Sequence, residues 1–316
     1  MDIEIRPAER TDLVSVYTLS EGNYEGHDYL PFVFLRWLDE PNRRVFVAVK
    51  GETVIGLRSF HVVDDGLTVV SQGLRVHPEY RGLGVSTMLL EAQQKYIQNH
   101  FPNVKKERYT TMSNNVGRLA IHNKSSCERL LLELSIIAFY VDSKTLHSSL
   151  NIPDLNTRKL NFLEFQCFLR DGKFDGLLKN NMFVIDWEPF NSKEREVNCG
   201  LVKKDDVILV SACDGTPESS TKCLSHARFS ERVKCPHWVA TVYTTDINLL
   251  QAHIALQLKH SCEKATVMKK SFIFSCFLPT CFVTQAKQYV MGQFMLDYVD
   301  FFNFNLLLFE KDLSSL

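Results

Sequence analysis

A glycine-rich turn between an apolar strand-like run and an amphipathic helix most constrains the fold of this sequence. The run LTVVSQGLRV, residues 67–76, precedes the turn Arg81-Gly82-Leu83-Gly84-Val85-Ser86, which leads into the helical pattern VSTMLLEAQQKYIQNHF. Such a turn leaves backbone N–H groups unpaired at the positive end of a helix dipole, where phosphate binds readily. Glycine lets a diphosphate approach the backbone closely, and Arg81 adds positive charge. We therefore expect residues 81–86 to bind phosphate groups.

The elements around this turn predict an α/β fold with one mixed sheet. Apolar alternation, helical periodicity and turn residues over residues 1–142 predict the order β-α-α-β-β-β-α-β-α-β, with the turn after the fourth strand. The later part of the chain shows a similar alternation of strands and helices, but less clearly. It predicts a helix near 159–170, the strands NMFVIDW and DVILVSA, and a tail from WVATVYT in the order β-α-β-α-β. We read this part as a second, degenerate α/β domain of similar type.

The chain length and a proline-containing segment predict two domains. The chain has 316 residues, of which 45% are hydrophobic and 23% charged, so it has ample material for two cores. The segment NIPDLNTRK, which contains Pro153, is the expected linker. The predicted domains are residues 1–145 and residues 157–316.

Charge and cysteine usage exclude several classes of protein. The formal net charge of -1 gives no general attraction to nucleic acid or acidic membranes. The start of the sequence has no apolar signal region, and no apolar run is long enough to span a bilayer. Nine cysteines without a C-x-x-C predict reduced thiols and a cytoplasmic location. Cys235-Pro-His237 and Cys276-x4-Cys281 lack a second pair at zinc-site spacing, so we predict no metal, and we expect a monomer.

Three phosphate-binding patterns can be compared with the turn. A P-loop requires a lysine that is missing here, and a Rossmann turn requires a third glycine where Thr87 stands. The pattern [Q/R]-x-x-G-x-[G/A] fits residues 81–86, with Ser86 at the last small position. With its context LRVHPEYRGLGV, the turn resembles the acyl-CoA loop of the GCN5-related N-acetyltransferase (GNAT) superfamily. The resemblance implies an acetyl-CoA site that includes Leu74, the backbone amide near Val76, and the turn itself.

A second motif of that superfamily is only partly present. Its form N-x-x-A-x-x-x-Y-x-x-x-G-F places Asn115 at the first position, which implies a contact with the cofactor. His122 stands where the family has the tyrosine that protonates the CoA thiolate, and Ser126-Cys127 replace Gly-Phe after Lys124. An imidazole can donate a proton near neutral pH, so His122 is a candidate catalytic acid. The alternative is that His122 packs beside the pantetheine arm.

The acceptor side has no obvious base. Many family members carry a carboxylate on the fourth strand, but this strand contains none. In this fold the loop between the first two helices covers the acceptor groove, and here it contributes the candidate residues Tyr24, Glu25, His27, Asp28 and Tyr29. Glu25 is the candidate catalytic carboxylate, and the loop can equally be a solvated segment. Either Arg58 or Arg75 could hold an acceptor carboxylate as a bidentate partner; the alternative is that they are edge or surface arginines.

Three segments make the resemblance narrower. NYEGHDYLP, GLRVHPEYRGLGVS and IDWEPF together are similar to the vertebrate histidine N-acetyltransferases and their close relatives, which acetylate the α-amine of free L-histidine. In the last segment, Asp186 and Trp187 are candidate pocket residues, because a carboxylate and an aromatic face suit an imidazole; the alternative is that Trp187 packs in the core. Other acceptors remain open: another free amino acid or small amine, a protein amine, or none in an acetyl-CoA-binding regulator.

Overall fold

The computed structural model describes residues 2–122, 127–142, 155–193, 202–212, 220–268 and 270–313. Its first half contains ten helices and strands in the predicted order: β1 (Glu4–Pro7), α1 (Leu13–Ser20), α2 (Leu30–Asp39), β2 (Arg43–Lys50), β3 (Thr53–Val63), β4 (Thr68–Val76), α3 (Val85–His100), β5 (Lys106–Met112), α4 (Val116–His122) and β6 (Glu128–Val141). The prediction for this half is confirmed. The linker proline Pro153 lies outside the described residues, and the division at 145–157 stays a prediction.

The second half contains more strands than the sequence predicted. Its elements are β7 (Thr157–Leu160), α5 (Phe162–Arg170), β8 (Met182–Ile185), β9 (Glu188–Asn191), β10 (Val207–Ala212), β11 (Thr221–Ser230), β12 (His237–Thr244), α6 (Ile247–Met268), β13 (Phe272–Leu278), α7 (Val283–Phe294), β14 (Asp297–Tyr298) and β15 (Asn305–Asp312). The tail from β12 to β15 follows the predicted β-α-β-α-β order, with the short strand β14 added.

Three details of the second half correct the prediction. β11 was missed because its buried positions carry polar residues: Asp206 accepts hydrogen bonds from His226 at 2.9 Å and from Arg228 at 2.6 Å. NMFVIDW is not one continuous strand, because β8 ends at Ile185 and the next two residues form a turn into β9. β7 and β9 were also missed, since each has only four residues.

In the described parts of the chain, one sheet of thirteen strands runs through both halves. Its order is β1-β2-β3-β4-β5-β15-β6-β13-β12-β11-β10-β7, with β14 on β6, while β8 and β9 form a separate hairpin. β15, from the second half, lies between β5 and β6 of the first half, and β6 pairs with β13 of the second. The halves therefore exchange their last strands. The parallel pairs in this sheet are β4–β5 and β12–β13.

Helices cover the sheet through regular apolar faces. α3 buries Val85, Leu89 and Ile97 at helical spacing, and α6 buries Leu250, Ile254 and Leu258 in the same way. α1 and α2 pack with β2 and β3 in a separate cluster. The buried face of α3 fixes the start of that helix against the sheet, next to the end of β4, where the cofactor is expected. Within the described ranges, no helix combines the length and apolar character that crossing a membrane requires.

Candidate active site

A fork between β4 and β5 opens the sheet. The two strands pair only from Thr68–Lys106 to Val70–Arg108, although both continue for several residues beyond. Gly73 lies beyond the last of these pairs, and glycine is required there because its φ of +70° is left-handed and a Cβ would lie 2.8 Å from the Trp37 ring. The equivalent pair in the second half, β12 and β13, stays together over five residue pairs. The fork is therefore a feature of the first half.

A cavity of about 1010 Å³ fills the fork and extends to the second half. Of the residues that the sequence predicted for the site, ten line it: Tyr24, His27, Tyr29, Arg58, Leu74, Arg75, Arg81, Ser86, Asn115 and Trp187. Elements from both halves thus meet at one cavity, whose size suits a drug-sized ligand or larger.

The glycine turn stands at one end of this cavity. Gly82 and Gly84 have φ values of +76° and +81°, and no heavy atom lies within 4 Å of a Cβ built on either. Leu83 is exposed, whereas Val85 is buried and anchors the first turn of α3. The Arg81 Nε donates to the carbonyl oxygen of Val76 at 3.2 Å, so its guanidinium stays beside the turn. The backbone is thus open to a phosphate ligand at the N-terminus of α3.

Arg75 is held by Asp28 in a buried bidentate pair. Its Nε and one terminal nitrogen donate to the Asp28 carboxylate, both at 2.9 Å, and a second terminal nitrogen donates to the Leu74 carbonyl. Burial alone would raise the pKa of Asp28, but the Arg75 charge and hydrogen bonds lower it. The rings of Tyr24 and Tyr29 lie 4.7 and 5.7 Å from the guanidinium carbon. Arg75 therefore attaches the loop after α1 to β4. The two guanidinium nitrogens that could bind an acceptor carboxylate already bind Asp28.

Arg58 is also paired within the protein. It donates to Glu107 at 2.9 Å and to Gln93 of α3 at 2.7 Å, and the Ser71 hydroxyl donates to the same Glu107 oxygen at 2.5 Å. Arg58 therefore lies on the α3 side of the sheet. Its predicted contact with an acceptor carboxylate gains no support from this position.

The hairpin of β8 and β9 presents Trp187 to the cavity. Ile185 pairs with Glu188, so Asp186 and Trp187 are the two turn residues, with φ values of +47° and +72°. Turns of this kind usually carry Asn-Gly, and bulky residues in them store backbone strain, often at functional sites. The Thr110 hydroxyl donates to the Trp187 carbonyl at 2.7 Å, and the Trp187 ring lies 5.3 Å from that of Phe277.

Two carboxylates anchor this hairpin. Asp186 accepts hydrogen bonds from Arg232 at 2.5 Å and from Ser230 at 2.6 Å, and it lies outside the cavity lining. Glu188 accepts from Arg43 at 2.7 Å and lies 3.2 Å from the His61 Nδ1. Burial alone would raise the pKa of Glu188, but Arg43 and His61 hold it far below its usual value. Both carboxylates therefore position Trp187 rather than face a ligand directly.

The two predicted catalytic residues are not among the residues that line the cavity, although each adjoins a residue that does. His122 contacts the Glu128 carboxylate at 3.1 Å and packs on Phe309, while Glu128 also accepts from Tyr109 and Arg118. Glu25 is exposed beside the loop. Their roles stay predictions. Of the rest of the second motif, Lys124 and Ser126 lie outside the described residues, and Cys127 is exposed.

The second half contributes pocket residues that the sequence analysis did not place there: Arg232, His237, Phe301, Phe302 and Phe304. The Lys234 N–H donates to the Gly26 carbonyl at 2.8 Å, which joins the loop before β12 to the loop after α1. Across this junction the His27 Nδ1 lies 3.0 Å from the His237 Nε2. The only local signal was the aromatic run FFNF before β15. The Cys235 sulfur lies within 4.8 Å of both histidines, so the predicted absence of a metal stays a prediction.

Buried neutral histidines make the fold sensitive to acid. Burial lowers the pKa of His253 to about 3, and burial with the Lys234 and Arg232 charges lowers that of His27 to about 4. Between those values and the unfolded value of about 6.5, the unfolded chain binds more protons, so stability rises with pH. We expect the free energy of unfolding to fall by about 1.4 kcal/mol per pH unit per histidine as pH decreases through this window.

Urea unfolding at about pH 7 and about pH 5 measures this effect. A His253→Gln variant should lose less stability on acidification, because one of the titrating groups is gone. His100→Gln, which changes an exposed histidine, is the matched control and should keep the full dependence. Equal unfolding free energies at the two pH values would contradict the prediction.

Two protein families match the chain, in two successive stretches. Residues 11–125 match the acetyltransferase (GNAT) family, and residues 156–279 match the C-terminal region of histidine N-acetyltransferase. The chain contains a domain of the GNAT superfamily. It is an N-acetyltransferase that uses acetyl-CoA, and the prediction of its fold, family and enzyme class is confirmed.

Relatives of this GNAT protein extend over most of its length. Histidine N-acetyltransferase of Xenopus tropicalis is 28% identical over 271 residues, which cover 81% of this chain and 80% of the relative. The enzyme of the same name from Scomber australasicus is 29% identical, covering 70% and 68%. A tandem GNAT protein from the clavulanic acid biosynthesis pathway superposes with a TM-score of 0.60 at 11% identity, covering 98% of both chains. The tandem GNAT arrangement thus extends over both halves.

Proposed function

We propose that this enzyme transfers the acetyl group of acetyl-CoA to the α-amine of free L-histidine, forming N-acetyl-L-histidine and CoA by direct attack in a ternary complex. The observation that carries the proposal is the end of the cavity where both halves meet. There, Trp187, Phe301 and Phe302 supply aromatic faces, and the His27–His237 pair supplies polar ring atoms. An imidazole side chain needs both kinds of contact. Relatives named for histidine acetylation support the same acceptor.

The cofactor end of the proposed complex is the glycine turn with the fork. Gly82, Gly84 and the N-terminus of α3 suit the diphosphate of acetyl-CoA, and Arg81, Ser86 and Asn115 line the adjoining wall. The backbone beyond Gly73, which β5 does not pair, is available to the pantetheine arm and the thioester. One cavity then holds both substrates, which favours direct attack over an acetylated enzyme.

The second half completes the acceptor pocket in this proposal and binds no acetyl-CoA of its own. Residues 244–247, which join β12 to α6, contain no glycine. The Asp246 carboxylate accepts hydrogen bonds from the N–H groups of Asn248 and Leu249, at 2.7 and 3.2 Å. A carboxylate at this helix start occupies the donors that a phosphate would need and repels it. The second half also covers the acceptor end, which suits a small amine better than a protein side chain.

A competition experiment tests the acceptor. The enzyme is mixed with acetyl-CoA and all twenty free amino acids at equal concentrations, and the acetylated products are identified by mass spectrometry. We expect N-acetylhistidine to dominate, because loss of a matched imidazole contact leaves buried polar groups unpaired. Another dominant amino acid would contradict the histidine assignment and keep the reaction class. No acetylated amino acid at all would turn attention to protein amines or to a regulatory role.

A further inference from the structure

We propose that the His27–His237 pair is the proton acceptor of the acetyl-transfer reaction. This inference rests on the acetyltransferase activity of the family and not on the identity of the acceptor. It assigns the pair a catalytic part that neither histidine has from the sequence motifs.

The other candidate bases in the cavity are already engaged. Two of the described lining residues are carboxylates, Glu107 and Glu128. Glu107 accepts hydrogen bonds from Arg58 and Ser71, and Glu128 accepts from Tyr109 and Arg118 and contacts His122. The described part of β4 that lines the cavity contributes no acid. Among the lining residues that the structure describes, the two histidines are the remaining groups with a nitrogen lone pair.

The contact within the pair leaves one lone pair facing outward in either tautomer. The His27 Nδ1 and the His237 Nε2, 3.0 Å apart, share one proton. If His237 donates, its own Nδ1 is bare; if His27 donates, the His27 Nε2 is bare. Neither outer nitrogen has a hydrogen bond to a described residue, and both rings line the cavity. The shared proton can also shift, so a proton taken at one outer nitrogen can be released from the other.

The surroundings keep both rings neutral. His27 and His237 are 6% and 3% exposed, with Phe301 and Phe302 packed against them. The ionisable groups around them are Lys234, Cys235, Arg232 with Asp186, and the Asp28–Arg75 pair. Burial, followed by the positive charges, depresses the pKa of both histidines, so at neutral pH each ring can accept a proton.

The proton balance of the step is complete without another reagent. The neutral amine attacks the thioester carbonyl carbon, and the new C–N bond makes the nitrogen positive and its N–H acidic. The bare imidazole nitrogen takes that proton, the C–S bond breaks, and the electron pair leaves with the CoA thiolate. The imidazolium then returns the proton to the thiolate through solvent, which gives amide and CoA thiol. A weak base suffices, because it acts only after the C–N bond has begun to form.

Variants of the two histidines test this role. His27→Ala and His237→Ala should lower kcat by about 10²–10⁴-fold, the usual range for a lost general base, while the KM for acetyl-CoA stays unchanged. His100→Ala, an exposed histidine at the end of α3, is the matched control and should keep full activity. Assays use the full chain, excess chelator and whichever amine the competition experiment shows to react best.

The readout that separates proton transfer from packing is rescue by imidazole. We expect added imidazole to raise the kcat of His27→Ala in proportion to its neutral form and to leave the unmodified enzyme unchanged. Unchanged kcat in both variants would overturn the proposal, and so would a loss that imidazole does not restore although acetyl-CoA still binds. Absence of any acetylated amine would instead reject the proposed acceptor class, so the two failures are distinguishable.

Discussion

Replacing Gly84 by valine is expected to weaken acetyl-CoA binding by at least about a hundredfold, or about 3 kcal/mol, while the protein stays folded. Gly84 is the N-cap of α3 with a φ of +81°, and no protein atom lies within 4 Å of the added Cβ. In the folded protein without ligand, the Gly84→Val substitution therefore introduces only backbone strain. A bound diphosphate would meet the side chain itself and lose the helix N–H donors.

Gly51 provides the matched control. It has a φ of +60°, nothing lies within 4 Å of its Cβ, and it stands in the hairpin between β2 and β3, away from the cavity. Gly51→Val thus introduces similar backbone strain without touching the cofactor site. Titration calorimetry should show normal acetyl-CoA affinity for this variant and an affinity at least about a hundredfold weaker for Gly84→Val. Unchanged affinity in a folded Gly84→Val protein would remove the turn from the binding site.

Removing the Glu188 carboxylate is expected to destabilise the protein by about 3–5 kcal/mol, the usual cost of breaking a buried ion pair. The Arg43 side chain is completely buried, and Glu188 is one of two carboxylates that bind it; the other is Glu40, which is more exposed. Glu188→Ala leaves much of that buried charge uncompensated. Because Glu188 follows Trp187 directly, we also expect a higher KM for the acceptor.

Chemical unfolding of Glu188→Ala beside Asp175→Asn measures this difference. Asp175 pairs with Lys193 on the surface, where both side chains are about half exposed, so its loss should cost at most about 1 kcal/mol. The double variant Arg43→Met, Glu188→Ala should recover part of the stability, because no unpaired charge remains. A Glu188→Ala protein as stable as Asp175→Asn would contradict the structural role of this ion pair.

The first half of the fold was predictable because its signals are local. Strand alternation, helix periodicity and the glycine turn each lie within a short window, and they give the correct element order over residues 1–142. The loop after α1 was also a sound indication, since Tyr24, His27 and Tyr29 line the cavity. Trp187 lines it as well, although the turn that presents it was predicted as strand.

The remaining site depended on partners that no local pattern reveals. Arg75 was a reasonable candidate to bind the acceptor carboxylate, but its guanidinium group binds the carboxylate of Asp28 instead. His237 reaches His27 only because the loop before β12 pairs with the loop after α1. Hydropathy patterns do not reveal buried strands with polar side chains, such as β11, because hydrogen bonds to other residues satisfy those side chains. Sequence reasoning recovers periodic elements well and long-range pairings poorly.

The exchanged strands also determine when this protein can fold. β15 runs antiparallel to both β5 and β6, so those two strands are parallel to each other and separated by the width of one strand. We therefore expect the edge of β5 to stay unpaired during synthesis until residues 305–312 have been made. Contacts of such high sequence separation fold slowly, and an open edge in the meantime invites association with other chains. We expect the nascent first half to depend on chaperones more than a self-contained acetyltransferase domain would.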